Sequence, residues 1–128
     1  MTYLDTSVVL AQLFAEDRRP PDDLWTEPLI ASRLLLYEVW TRVHSRGLTR
    51  QHDEAARSVL DAINLVELTP MVLSRALEPF PVAVRTLDAL HLASMEFLRG
   101  QGRSIELASY DQRLITAARA LGIPLRAL

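Results

Sequence analysis

The chain has 128 residues, 49% of them hydrophobic and 23% charged, with a formal net charge of −2; that is the size and balance of one globular domain, and it excludes a disordered chain or a strongly basic nucleic-acid magnet. It contains no cysteine, which excludes disulfides, zinc–thiolate sites and thiol nucleophiles and agrees with a reducing cytoplasm. All 14 basic residues are arginine, a bias that codon usage alone can produce; any mechanism needing a lysine is excluded, and every cation is a planar fork suited to phosphate or carboxylate.

Tyr3-Leu4 is short and apolar, ends at Asp5, and reads as a strand. From Ser7 to about Ala15 the pattern is helical, with Ser7 as a candidate N-cap. Asp17 to Asp23 breaks that helix, because Pro20 and Pro21 cannot continue it. Leu29 to Ala31 is a second strand, and a long helix from about Arg33 to Arg46 follows, stopped by Gly47. Another helix is predicted from Gln51 to Ile63. Leu65 to Leu68 alternates like a strand, and Pro70 opens a short helix. Glu78 to Val84 is loop-like. Leu87 to Leu98 is helical and ends at Gly100, and Ile105 to Ala108 is a third clear strand. A helix from about Asp111 to Leu121 is stopped by Gly122 and followed by Pro124, and the final LRAL is predicted as a last short strand.

Strands alternating with helices predict one α/β sandwich domain over residues 1–128, with a parallel sheet covered on both faces. In such sheets ligands sit beyond the carboxyl ends of the strands. The opening MTYLDTS carries an acid where a signal peptide needs a basic start and an apolar run. No stretch approaches the roughly 20 apolar residues of a membrane span. A soluble, cytoplasmic protein is expected.

Four acids carry the chemistry. Asp5 and Asp111 each follow a strand and precede a helix, where an aspartate also serves as a cap. Glu38 lies at the edge of the stripe formed by Leu35, Leu36, Val39, Trp40 and Val43, and a plain Glu38–Arg42 surface pair explains it equally. Asp88 shares its helix face with His91, Leu92 and Met95. A desolvated carboxylate there needs a partner, either Arg85 or His91, or a metal. As a set, they sit at strand ends and inward helix edges. Two carboxylates about 4 Å apart repel by roughly 4 kcal/mol at an effective dielectric near 20, so four together need protons or a cation. Oxygen-only ligands without cysteine favour Mg²⁺ or Mn²⁺ over zinc.

In order, LDTSVVLAQL, LYEVWTRV, RTLDALHLASM and LASYDQRLITAARALGIPL cover essentially the whole chain, and together they resemble the PIN-domain ribonucleases, in particular the VapC-type toxins of toxin–antitoxin pairs. The resemblance implies a three-layer α/β/α sandwich with a mostly parallel central sheet. It implies a metal-dependent endoribonuclease with Asp5, Glu38, Asp88 and Asp111 as the Mg²⁺- or Mn²⁺-binding acids. Ser7 is then a hydroxyl beside the first acid, and Ser109 stands where the family often has threonine. The implied partners are an RNA substrate and a cognate VapB-type antitoxin, in a homodimer or a toxin–antitoxin hetero-oligomer.

Arg85 and Arg113 are candidates to hold RNA phosphates or, equally, to neutralise the acids; His91 reads as a packed or hydrogen-bonding residue rather than a catalyst. Arg42, Arg46 and Arg50 form either a phosphate-facing strip or a solvated face. Trp25, Trp40 and Leu34-Leu35-Leu36 exceed what one helix face buries, which points to ordinary core or to a surface for an antitoxin helix or second subunit. Other phosphoryl chemistries fit poorly. A receiver domain needs a lysine, a haloacid-dehalogenase phosphatase needs an aspartate where Ser7 stands, and no GxxxxGK[ST] loop exists. The alternatives left open are a non-catalytic PIN-like module that binds RNA or protein, and a stand-alone RNA-processing nuclease.

Overall fold

The computed structural model describes residues 1–14 and 17–128. Its centre is a sheet of four short strands, β1 (Thr2–Leu4), β2 (Leu29–Ser32), β3 (Asn64–Val66) and β4 (Glu106–Ala108). Every neighbouring pair is parallel, and the spatial order is β3-β2-β1-β4. The two central strands are buried along their whole length, as expected of parallel strands covered on both faces. The pleat divides their side chains: Tyr3, Ile30 and Leu107 enter one core, and Leu4, Leu29, Ala31 and Ala108 the other.

Each core is closed by its own helices. On the Leu4 side lie α1 (Thr6–Phe14), α2 (Leu34–Ser45) and α3 (Thr49–Asp61), which contribute Val8, Val9, Leu35, Val39, Val43 and Leu60. On the Tyr3 side lie α5 (Thr86–Gly100) and α6 (Gln112–Ala120), which contribute Leu92, Met95, Leu114, Ala117 and Ala118. A short helix, α4 (Pro70–Ala76), packs on α5. The architecture is the expected three-layer α/β/α sandwich. Leu35, Val39 and Val43 are spaced four apart, so α2 presents one continuous apolar stripe. Deleting the side chain of a fully buried leucine such as Leu35 or Leu92 costs about 2–5 kcal/mol.

Helix ends follow local chemistry. The Thr69 hydroxyl accepts from the Val72 amide at 3.3 Å, and Pro70 takes the first helical position of α4, where no amide is missed. Gly47 and Gly122, past α2 and α6, take φ of 66° and 73°, which a side chain would resist.

Several boundaries differ from expectation. α1 begins at Thr6 rather than Ser7, and its predicted end at Ala15 lies outside the described residues. The proline-rich break leads into an unpredicted 3₁₀ helix over Asp22–Thr26. β3 stops at Val66, where Glu67 turns outward to pair with Arg33 at 2.6 Å. The final LRAL forms no strand. Leu125 makes a single parallel bridge with Leu107, closed by the Leu107 amide on the Pro124 carbonyl and the Arg126 amide on the Leu107 carbonyl. Trp25, Trp40 and Leu36 are not free docking surface: all three are partly buried against the Leu4-side core. The most exposed large apolar residues are instead Leu77, Met71 and Tyr37. Among the described residues no helix is long and apolar enough to cross a membrane.

The strand order creates a switch point. The chain steps outward from β1 through β2 to β3, then returns to lay β4 against the other side of β1. The carboxyl ends of β1 and β4 therefore diverge into separate connections, which is where a crevice opens in such sheets.

Candidate active site

Asp5 is the first residue beyond β1, and its amide donates to the Ala108 carbonyl at the end of β4, at 3.0 Å. Its side chain is 6% exposed, so its charge must be met by donors. All of them converge on Oδ2: the Ser7 hydroxyl at 2.6 Å, the Ser7 amide at 3.3 Å and the Ser109 hydroxyl at 2.9 Å. Those hydroxyls also accept, Ser7 from the Tyr110 amide and Ser109 from the Asp111 amide, each at 2.9 Å. Ser7 thus ties Asp5 to the turn after β4 rather than acting as the N-cap. Asp5 itself receives an amide from the first turn of α1, so capping and site geometry fall on one side chain.

Glu38 projects from α2 and is partly buried. Its Oε1 accepts from the Thr6 hydroxyl at 2.9 Å and from His91 Nε2 at 2.7 Å. The simple Glu38–Arg42 pair is not what forms. His91 is 2% exposed on α5, and its Nδ1 meets the Tyr3 hydroxyl at 2.9 Å. Burial alone would lower the His91 pKa, but the hydrogen bond and charge of Glu38, with Asp5 and Asp88 beyond, turn the net shift upward. Burial drives the Tyr3 phenol far above its ordinary range.

Asp88 lies in the first turn of α5, and Asp111 caps α6 by accepting from the Arg113 amide at 3.0 Å. Burial raises the Asp88 pKa, the negative charges of Asp111 and Asp5 raise it further, and the Arg85 amide and His91 pull it back in part. Of the two partners expected for Asp88, Arg85 supplies only its main chain, and His91 gives its Nε2 to Glu38. The Arg85 and Arg113 side chains are exposed and make no ion pair with an acid among the described residues.

Asp5, Glu38 and Asp111 line one cavity of about 790 Å³, together with Arg18, Arg42 and Tyr110. Asp88 opens instead onto a second cavity of about 440 Å³, which Arg85 and Arg113 also line. Three of the predicted acids thus share a cavity, and the fourth couples to two of them through its charge.

The donor set suits a hard cation. Within the described residues no donor reaches Asp5 Oδ1, Glu38 Oε2 or Asp111 Oδ2, so each carboxylate is anchored by one oxygen and leaves the other available. No three acidic or imidazole side chains among the described residues stand within a single ligand shell.

Thr6, Tyr3 and Tyr110 also build this site and were not singled out from sequence. For Thr6 a signal existed: two hydroxyl residues in succession follow Asp5 at the start of a helix, and successive helical positions point to different neighbours. Thr6 turns to Glu38, and Ser7 to Asp5. Tyr110 lies beneath Arg18, whose guanidinium is 5.7 Å from the ring centre and donates to the Tyr110 carbonyl at 3.0 Å.

Strand-end acids at the switch point of a parallel α/β sheet define a class, and the comparison with known families agrees: the PIN domain matches residues 2–120, so the chain belongs to the PIN-domain family. Its curated relatives include the ribonuclease VapC47 of Mycobacterium tuberculosis, 30% identical over 95% of this chain and 93% of that protein. The ribonuclease VapC46 of the same species is 31% identical over 94% and 92%. Among solved structures, VapBC2 from Rickettsia felis, bound to a DNA fragment from its promoter, superposes with a TM-score of 0.71 at 15% identity over 98% of both chains. The M. tuberculosis sarcin-ricin-loop-cleaving toxin VapC20 reaches 0.63 at 20% identity over 91% and 95%. At those identities the structural likeness speaks for the fold.

Proposed function

We propose that this chain is a VapC-type endoribonuclease, the toxin of a toxin–antitoxin pair, that hydrolyses RNA with Mg²⁺ or Mn²⁺ and is held inactive by a VapB-type antitoxin. The observation that carries the reading is the cavity at the switch point, where Asp5, Glu38 and Asp111 each present one undonated oxygen. Ribonuclease relatives aligned over nearly the full length of the chain support the substrate class, and solved VapBC and toxin–antitoxin complexes of the same fold support the partner. The chain acts in the cytoplasm, where RNA and antitoxin are, as a homodimer or within a toxin–antitoxin hetero-oligomer.

A divalent cation, when bound, supplies Lewis acidity toward the scissile phosphate and the attacking water. Asp5, Glu38 and Asp111, which line one cavity, would hold it, with Asp88 contributing from the neighbouring cavity. Ser7 and Ser109 keep Asp5 in one orientation, so its free oxygen needs no reordering when substrate enters. One of these acids would also accept the water's proton. Arg85 and Arg113, exposed beside Asp88, are placed to receive phosphates of the RNA strand.

The test is RNA cleavage by the purified chain, compared with Asp5→Asn and with EDTA. Cleavage that persists unchanged in either condition overturns the mechanism. Wild-type protein that shifts RNA in a gel yet never cuts it with Mg²⁺ or Mn²⁺ is a binding module instead.

A further inference from the structure

We propose that His91, braced from behind by Tyr3, is the positioning residue that orients the Glu38 carboxylate; the inference rests on the nuclease reading above.

Glu38 is a long side chain on a helix, and without restraint it would pay rotamer entropy each time it met a ligand. Two donors remove that freedom, and both bind the same oxygen: Thr6 Oγ1 from α1 and His91 Nε2 from α5. Oε2 is left for the cavity that Glu38 lines. α2 belongs to the core on the Leu4 side of the sheet and α5 to the core on the Tyr3 side. The His91–Glu38 bond therefore joins the two helical layers and ties the carboxylate to both.

The ring cannot turn. His91 is 2% exposed and Tyr3 is fully buried, with the rings edge to face at 83° and the phenol hydroxyl 2.9 Å from Nδ1. A carboxylate only accepts, so Nε2 carries a proton, while Nδ1 pairs with the Tyr3 hydroxyl, which can either donate or accept. Burying a phenol and an imidazole among leucines is costly unless every polar atom is used. Here both ring nitrogens are used, and the bond that reaches the cavity ends on Glu38. Apolar side chains would fill the same volume without the cost, but would leave Glu38 to Thr6 alone.

The experiment uses the full chain and measures Mn²⁺ affinity by calorimetry alongside steady-state RNA cleavage. Partners that orient a metal ligand typically govern affinity by 10–100-fold. His91→Leu is expected to weaken Mn²⁺ binding about 10-fold and to lower kcat comparably, with KM for RNA unchanged. His91→Gln, which restores an N–H near the Nε2 position, is expected to recover most of both. Tyr3→Phe keeps the buried ring and removes only the hydroxyl that braces His91 Nδ1, so it decides the question even where His91→Leu fails to fold; about 5-fold weaker Mn²⁺ binding is expected. Unchanged Mn²⁺ affinity in His91→Leu or Tyr3→Phe overturns the proposal, as does a His91→Leu protein that loses only thermal stability. A wild type that neither binds Mn²⁺ nor cuts RNA overturns the nuclease reading and this inference with it. An active wild type with indifferent variants overturns this inference alone.

Discussion

The acids fall into two pairs held by different means. Asp5 and Glu38 are fixed by side chains from distant parts of the chain: Ser109 is 104 residues from Asp5, and His91 is 53 from Glu38. Asp111 is held by the Arg113 amide at its own helix start, and Asp88 stands in the first turn of α5 with no side-chain partner from a distant segment among the described residues. The first pair is oriented by the tertiary fold, and the second by local helix geometry. The contrast separates a rigid half of the pocket, built when the layers meet, from a half whose charge balance responds to whatever enters.

The largest expected effect breaks the rigid half. Asp5→Asn should keep its donors and its fold while RNA cleavage falls by more than about 100-fold, since losing a ligand costs more than losing the partner of one. Unchanged melting with lost cleavage is the result that separates site from scaffold. Ser109→Ala tests the long-range anchor: cleavage and Mn²⁺ affinity should drop about 10-fold, measured beside Asp111→Asn. Asparagine caps helices as well as aspartate does, so Asp111→Asn should leave Tm unchanged while Mn²⁺ affinity falls. Equal losses of stability in both variants would erase the distinction between the pairs.

Smaller effects are expected on the local half. Arg85→Ala and Arg113→Ala should each raise KM about 3- to 10-fold at low salt and reduce the salt dependence of RNA binding by about one counterion. Cleavage rates at saturating RNA should hold. Asp88 gives a pH signature. Its folded-state pKa is raised, chiefly by burial and then by Asp111 and Asp5. Below the ordinary carboxylate range it is protonated whether folded or unfolded and contributes nothing; as pH rises through the folded value, ionisation costs the folded state more, and stability falls. Asp88→Asn should therefore raise Tm at pH 7, with the gain fading as pH drops through the ordinary aspartate range. Mn²⁺ should raise the wild-type Tm and shrink that gain.

Much of the fold was legible because periodicity reports burial. The stripe Leu35, Val39, Val43 and the run through Leu92 and Met95 announced helices facing a core, and apolar runs ending at Asp5 and just before Asp111 announced strand ends. What periodicity cannot report is the neighbour across a layer. It placed Glu38 at the edge of its stripe but offered Arg42, one turn along the same helix, as partner, whereas His91 arrives from the opposite layer. Trp25 and Trp40 looked surplus because one helix has one face. Here the partner surfaces come from several elements, and Trp40 stacks on His44 beneath Arg57. At the last segment the expected strand LRAL is reduced to a single bridge between Leu125 and Leu107.

The pairing of β1 with β4 also sets an order of assembly. β1 is made first, yet one of its two neighbours begins at Glu106, and the donor that orients Asp5 is Ser109. During synthesis, an emerging chain can pack α1, α2 and α3 against β1 and β2 while that edge of β1 stays unpaired. Contacts spanning most of a chain are the slow step in folding. The pocket can therefore close only after Ser109, 104 residues beyond Asp5, has left the ribosome.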